Sequence, residues 1–152
     1  MNAEPNLFEP SWDFEGPQGD GTARAAQLAR QAGAERLGAT LYELEPGAMA
    51  SPLHFHHGAE ELLFVIAGTP TLRVAAGEER RLGPGDVVSF PPGREGTHQV
   101  LNRGEAPARV LVCSTNDLPE VAEQVETGIT VVLTAESDRL FEGGRDVGLP
   151  AT

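Results

Sequence analysis

The chain has 152 residues, 18 of them Gly and 12 Pro. That length is one domain at roughly 100–200 residues per domain. The Gly and Pro fall between short apolar runs with no Gly-X-Y period, which excludes a collagen-like repeat and a disordered chain. Eleven Arg and no Lys against 23 acidic residues give a formal charge of −12. This balance excludes nucleic acid, whose phosphates need a basic patch, and an anionic membrane surface.

The first 21 residues are acidic and turn-rich, with Leu7, Phe8, Trp12 and Phe14 as apolar exceptions. They read as an arm that packs on its own domain or on a partner subunit. Residues 22–32 are ambiguous: Ala, Gln, Leu and Arg favour helix, but Leu28 alone is large and apolar, so no amphipathic stripe forms. From residue 36 the pattern is β. A strand through Ala39, Leu41, Tyr42 and Leu44 ends at Glu45-Pro46-Gly47, and Leu53–His57 is extended. Glu61–Ala67 is the most apolar run and ends at Gly68-Thr69-Pro70. Thr71–Ala75 and Glu79–Leu82 form a hairpin, and Gly83-Pro84-Gly85-Asp86 is a turn. Asp86–Phe90 is closed by Pro91-Pro92-Gly93, and Thr97–Asn102 and Ala108–Ser114 follow. Pro119–Gln124 reads as a short helical turn. Ile129–Thr134 is a last clear strand, with a weaker one near Arg139–Phe141. Eight to ten short strands with turn signals between them predict an all-β sandwich or barrel.

The single cysteine, Cys113, excludes an intramolecular disulfide, and its apolar run RVLVCS predicts a buried small side chain. No apolar stretch approaches the ~20 residues of a membrane span. Met1–Pro10 lacks the basic and apolar regions of a signal peptide, so a cytoplasmic location is expected.

The four histidines are His54, His56, His57 and His98. On a strand, side chains two apart share a face. His54 and His56 therefore project together, about 7 Å apart along the backbone, and His57 projects away, exposed or in support of a ligand. A carboxylate follows at Glu60 or Glu61. His98 sits on a later strand and supplies a fourth donor. Three neutral imidazoles and one carboxylate suit one divalent transition metal ion: Fe, Mn, Ni, Co or Zn. An octahedral ion would keep two positions for a chelating substrate or for water and oxygen. Arg73 and Arg109 read as solvated strand-face residues, with an anion site inside the barrel as the other reading. No nucleophile motif surrounds Ser51, Ser89 or Ser114.

The spacing of these residues carries a resemblance. Gly47 is followed by six residues, His54-Phe55-His56, four residues, Glu61, six residues and Gly68. Gly85 is followed by five residues, Pro91-Pro92-Gly93, four residues, His98, three residues and Asn102. The two segments resemble the paired motifs of the cupin superfamily, with one extra residue after Gly47 and two between Gly93 and His98. Both insertions fall in loops. The match covers about 40–115, and the wider stretch from Leu7 to Leu133 is similar to small single-domain bacterial cupins. The resemblance implies a double-stranded β-helix, or jelly-roll barrel, with the metal inside. Position by position it implies His54, His56, Glu61 and His98 as ligands, with Glu61 favoured over Glu60 by the gap to Gly68. Gly47, Gly68, Gly85, Pro91 and Gly93 match turn positions, and Asn102 matches a structural one.

It further implies an arm over 1–35 with one edge strand, a barrel over 36–135 and a tail over 136–152. Residues 22–30 are expected to run as that extended edge strand. The expected function is a small metalloenzyme of the isomerase, decarboxylase or dioxygenase class on a small oxygen-chelating substrate. The alternative is a non-catalytic barrel that binds or senses a small molecule. A homodimer is expected, because the apolar arm and an exposed sheet edge otherwise remain uncovered.

Overall fold

The structure is a computed structural model and describes residues 4–148. The strands are β1 (Phe14–Gln18), β2 (Gly21–Gln27), β3 (Leu37–Leu44), β4 (His54–His56), β5 (Glu61–Ala67), β6 (Thr71–Val74) and β7 (Glu79–Arg81). They continue as β8 (Val87–Phe90), β9 (His98–Leu101), β10 (Ala108–Thr115), β11 (Glu120–Gln124), β12 (Ile129–Leu133), β13 (Asp138–Glu142) and β14 (Arg145–Gly148). A one-turn helix α1 (Leu28–Gln31) follows β2, and a 3₁₀ turn at Arg94–Gly96 precedes β9. Two antiparallel sheets face each other as a jelly-roll-like sandwich. One has the order β1-β2-β3-β10-β5-β8, the other β14-β13-β12-β11-β4-β9-β6-β7.

Period-two alternation explains which side chains face inward. In β5, Leu63 and Val65 are buried while Leu62 is exposed. Glu61 is on the inward phase of the same strand, so the carboxylate rides on the residues that anchor the sheet. Leu44, Leu63, Leu72, Leu82, Val100 and Val110 form the core with their neighbours, each worth about 1.5–3 kcal/mol of buried apolar surface if large. Gly47, Gly68, Gly85 and Gly93 all have positive φ, at the turns that the motif spacing marks. Asn102 is buried, donates to the Leu44 and Ala106 carbonyls at 2.9 and 2.8 Å, and accepts the Gly104 N–H at 2.9 Å. It ties the end of β3 to the loop between β9 and β10.

The arm packs on its own domain. The Trp12 ring lies 4.8 Å from the Arg24 guanidinium and 5.6 Å from that of Arg109, and both arginines pair with Glu43. Asp13 accepts the Gln27 N–H at 2.7 Å and meets Arg30 at 3.1 Å.

Several expectations are corrected. Residues 22–27 are strand, but not an edge: β2 lies between β1 and β3, and β1 takes the edge. Residues 28–31 are helical, so both readings of the ambiguous stretch hold in part. The arm thus carries two strands where one was expected. Pro119–Gln124 is not a helical turn. Residues 120–124 pair with both β4 and β12, and this ladder overrides a local sequence without strong strand formers. The tail carries β13 and β14; its last residues, 149–152, lie outside the described ones. Cys113 is only partly buried. No helix among the described residues is long and apolar enough to cross a membrane.

Candidate metal centre

The site is assembled by three short strands from two sheets. His54 on β4 is the direct cross-strand partner of His98 on β9, and their ring centroids are 4.7 Å apart. His56 is two residues along β4, on the same face, with its ring 5.0 Å from that of His54. Phe55 between them turns to the opposite face and is buried, covered by Arg94 at 5.1 Å and tilted against His57. Glu61 heads β5 in the facing sheet, and its strand partner Phe90 stacks on the His98 ring at 3.6 Å. The donor atoms of His54, Glu61 and His98 all lie within 4.8 Å of one another. His56 joins them through the other carboxylate oxygen: its Nε2 is 3.4 Å from Glu61 Oε1, while His98 Nε2 is 3.2 Å from Glu61 Oε2.

Two of the three imidazoles are held from behind by backbone carbonyls. His54 Nδ1 is 2.8 Å from the Pro52 carbonyl and 3.1 Å from the Ser51 hydroxyl. His98 Nδ1 is 2.8 Å from the Gly96 carbonyl. A carbonyl only accepts, so both Nδ1 atoms carry the hydrogen and both Nε2 atoms keep a lone pair. His56 Nδ1 faces the carboxylate of Glu120 at 3.4 Å. Neutral imidazole fixed in this way is the form that ligates a metal.

The electrostatics fit an absent cation. Glu61 is largely buried. Burial alone would raise its pKa, but the neighbouring His56 and His98 rings outweigh it and hold the carboxyl well below its usual range. Burial first, then the charges of His98 and His56, pushes His54 down to about 4, so this ring is neutral at pH 7. Glu61 Oε2 and His56 Nδ1 are buried without a hydrogen-bond partner. A cation at the three Nε2 atoms and Glu61 would satisfy the carboxylate oxygen, and the donor set suits a borderline transition metal.

The structure also shows which residues stay out. Glu60 is exposed, and only its backbone engages, donating to Thr115 Oγ1 at 3.1 Å. His57 points outward and meets Glu123 at 2.7 Å. Arg73 is engaged by Glu126 and Gln99, and Arg109 by Glu43, so neither offers a free anion site. Glu120 is the residue beside the site that sequence reasoning missed. Buried next to His56, it belongs to a segment read as helix, and no signal in the local sequence places it there.

The Cupin domain family model matches residues 40–114, so the chain carries a cupin domain. Its structure is similar to that of a cupin-superfamily sugar phosphate isomerase from Silicibacter pomeroyi, with 29% identity, 97% of this chain and 96% of the other covered, and a TM-score of 0.81. In sequence it is 36% identical over 93 residues to germin-like protein subfamily 3 member 3 of Arabidopsis thaliana, covering 58% of this chain and 43% of that one. It is also 36% identical over 73 residues to the dimethylsulfoniopropionate lyase DddQ of Ruegeria pomeroyi, covering 48% of this chain and 34% of that one. The chain thus spans less than half the length of these two curated relatives.

Proposed function

We propose that this cupin is a metal-dependent enzyme acting on a small substrate that binds through adjacent oxygen atoms, and that its reaction is an isomerisation. One observation carries the reading: His54 and His98 are held at Nδ1 by backbone carbonyls, their donor atoms cluster with the buried Glu61 carboxylate, and His56 presents Nε2 to the same carboxylate at 3.4 Å. That is preorganisation for a cation, and not the pattern of a packed core. A divalent ion held by His54, His56, Glu61 and His98 supplies Lewis acidity, polarising a carbonyl and acidifying the neighbouring C–H or O–H. The likeness to the Silicibacter pomeroyi isomerase extends over nearly the whole of both chains and supports isomerisation over the decarboxylase and dioxygenase readings.

The cavity that reaches the proposed ligands is small, about 60 Å³, and is lined by His56, Glu61, Ser114, Asn116 and Glu120 among others. A second cavity, of about 420 Å³, is lined by Phe14, Gln18, Gln27, Arg30, Tyr42 and Ala50 and by none of the four ligands. Tyr42 is partly buried against the core, and burial, helped by the charge of Glu61, pushes its phenol up to about 12. It stays protonated at pH 7 and would offer a hydrogen-bond donor to a ligand oxygen.

The test has two arms. Metal analysis of protein purified without added metal should find about one transition metal ion per chain, and His98→Ala should lose it. Wild type without metal, or His98→Ala that retains it fully, sinks the site. Fully metallated protein is then assayed on a panel of hydroxy-aldehydes and hydroxy-ketones. Inactivity across the panel, with tight binding of one member, would favour the non-catalytic binder.

A further inference from the structure

We propose that Glu120 is a positioning residue for the metal centre, acting through His56. This rests on the metal-centre reading above. Glu120 opens β11 and is 5% exposed, a costly place for a carboxylate unless it is partnered. Its carboxylate accepts the Gly58 N–H at 3.0 and 3.2 Å. Gly58 permits that approach, because a Cβ there would sit 2.6 Å from Glu120 Oε2. The other neighbour of Glu120 is His56 Nδ1, 3.4 Å from Oε1. That is an ion-pair distance, longer than a formed hydrogen bond, and His56 Nδ1 has no other partner among the described residues.

The pairing of β11 with β4 fixes the placement. Ala122 is the register partner of His56, and the His57 N–H donates to the Val121 carbonyl at 2.8 Å. Glu120 is two residues before Ala122, on the same strand face, and so comes to lie beside the His56 ring. His54 and His98 are held by backbone carbonyls, those of Pro52 and Gly96. Among the three imidazoles, only His56 is backed by a carboxylate, and that carboxylate comes from a strand beyond the residues matched by the family model. A carboxylate behind a ligating imidazole fixes its tautomer and orientation and raises its basicity. Gly58, Glu120 and His56 thus form one unit, with the glycine seating the carboxylate and the carboxylate aiming the ring.

The experiment is a cobalt(II) titration against a competing chelator, run on wild type, Glu120→Ala, Glu120→Gln and Glu123→Ala. Long-range ¹H–¹⁵N spectra of the His56 ring in the metal-free proteins run beside it. Glu120→Ala should weaken cobalt binding roughly 10–100-fold and abolish the preference for hydrogen on Nδ1 of His56. Glu120→Gln, which keeps size and one acceptor, should fall between Ala and wild type. Glu123→Ala, whose parent side chain meets His57 and not the site, should match wild type. If Glu120→Ala does not fold, Glu120→Gln carries the test with a loss of at least about threefold, below the range for full removal. Cobalt affinity and His56 spectra equal to wild type in the Glu120 variants overturn the proposal. If wild type itself binds no cobalt, the metal-centre reading fails instead, and unchanged His56 spectra in the Glu120 variants still overturn this one.

Discussion

Gly96→Ala tests the link between a tight turn and the metal centre. Gly96 is buried in the 3₁₀ turn that precedes β9, inside the loop that is two residues longer than the cupin motif. A Cβ added there would lie 1.9 Å from the Pro91 carbonyl oxygen and 3.1 Å from its carbon. Both are backbone atoms, so no side chain can swing aside and the turn must open. Forced overpacking costs about 1–3 kcal/mol. The Gly96 carbonyl also accepts from His98 Nδ1 at 2.8 Å, a bond worth about 0.5–1.5 kcal/mol. Together these give about 2–4 kcal/mol. In a domain of this size each kcal/mol moves Tm by about 2–4 °C, so the metal-free protein should melt roughly 4–15 °C lower. Gly83→Ala is the control: nothing lies within 4 Å of its Cβ and its φ is not positive. It should stay within about 0.5 kcal/mol of wild type. The assays are thermal melts of metal-free protein and cobalt titration of both variants. Because His98 loses its backbone clamp, Gly96→Ala should also bind cobalt more weakly. A Tm and an affinity equal to those of Gly83→Ala would refute the argument that this turn aims His98.

Cobalt affinity should fall as pH falls. Burial pulls the His56 pKa down, but the neighbouring carboxylates of Glu61 and Glu120 outweigh it and raise it above its ordinary 6.5. Below the raised value the ring is protonated and must lose that proton to ligate, so affinity should drop up to about tenfold per pH unit there and be flat above. His54, at about 4, stays neutral throughout; a pH-independent affinity between about pH 5 and 7 refutes this account of His56. Asn102→Ala removes three bonds between a buried amide and backbone groups, and denaturant unfolding should show a loss of about 1.5–4.5 kcal/mol at ~0.5–1.5 per bond. A loss under about 1 kcal/mol would mean that water replaces the amide. Leu62 and Val87 are exposed on adjacent strands of the six-stranded sheet, and sedimentation at micromolar concentration should give twice the chain mass, falling to one for Leu62→Asp. A monomeric wild type would refute that interface.

The strands that carry His54, His56 and Glu61 were legible because their polar residues coincide with local periodicity. His54 and His56 are separated by a buried Phe55, and Glu61, Leu63 and Val65 share the inward phase of β5, so alternation alone puts histidines and carboxylate on inward faces. The turns were legible because glycine is needed where φ is positive. Glu120 was not legible. Its strand, Glu-Val-Ala-Glu-Gln, has weak intrinsic preference, and only pairing with β4 and β12 makes it extended. The β13–β14 hairpin had a signal, since Gly143-Gly144 between two polar-apolar runs marks a two-residue turn, yet the run before it is short. The arm's destination was open because the cation–π seat of Trp12 uses Arg24 and Arg109, residues far apart in sequence.

The three rear contacts at the metal centre are not equivalent. The carbonyls behind His54 and His98 belong to the backbone of adjoining loops, so no side-chain replacement at Pro52 or Gly96 deletes the acceptor; it can only move the loop. The contact behind His56 is a side chain on a separate strand, and a single substitution removes it. Changes at the proposed ligands themselves alter the site wholesale. A residue such as Glu120 allows smaller adjustment. It sets the charge behind one donor while leaving the other three untouched, and donor basicity in turn governs both affinity and the Lewis acidity of a bound ion. Finer differences in metal choice between this chain and other cupins should therefore trace to residues behind the ligands, with β11 as the first place to look.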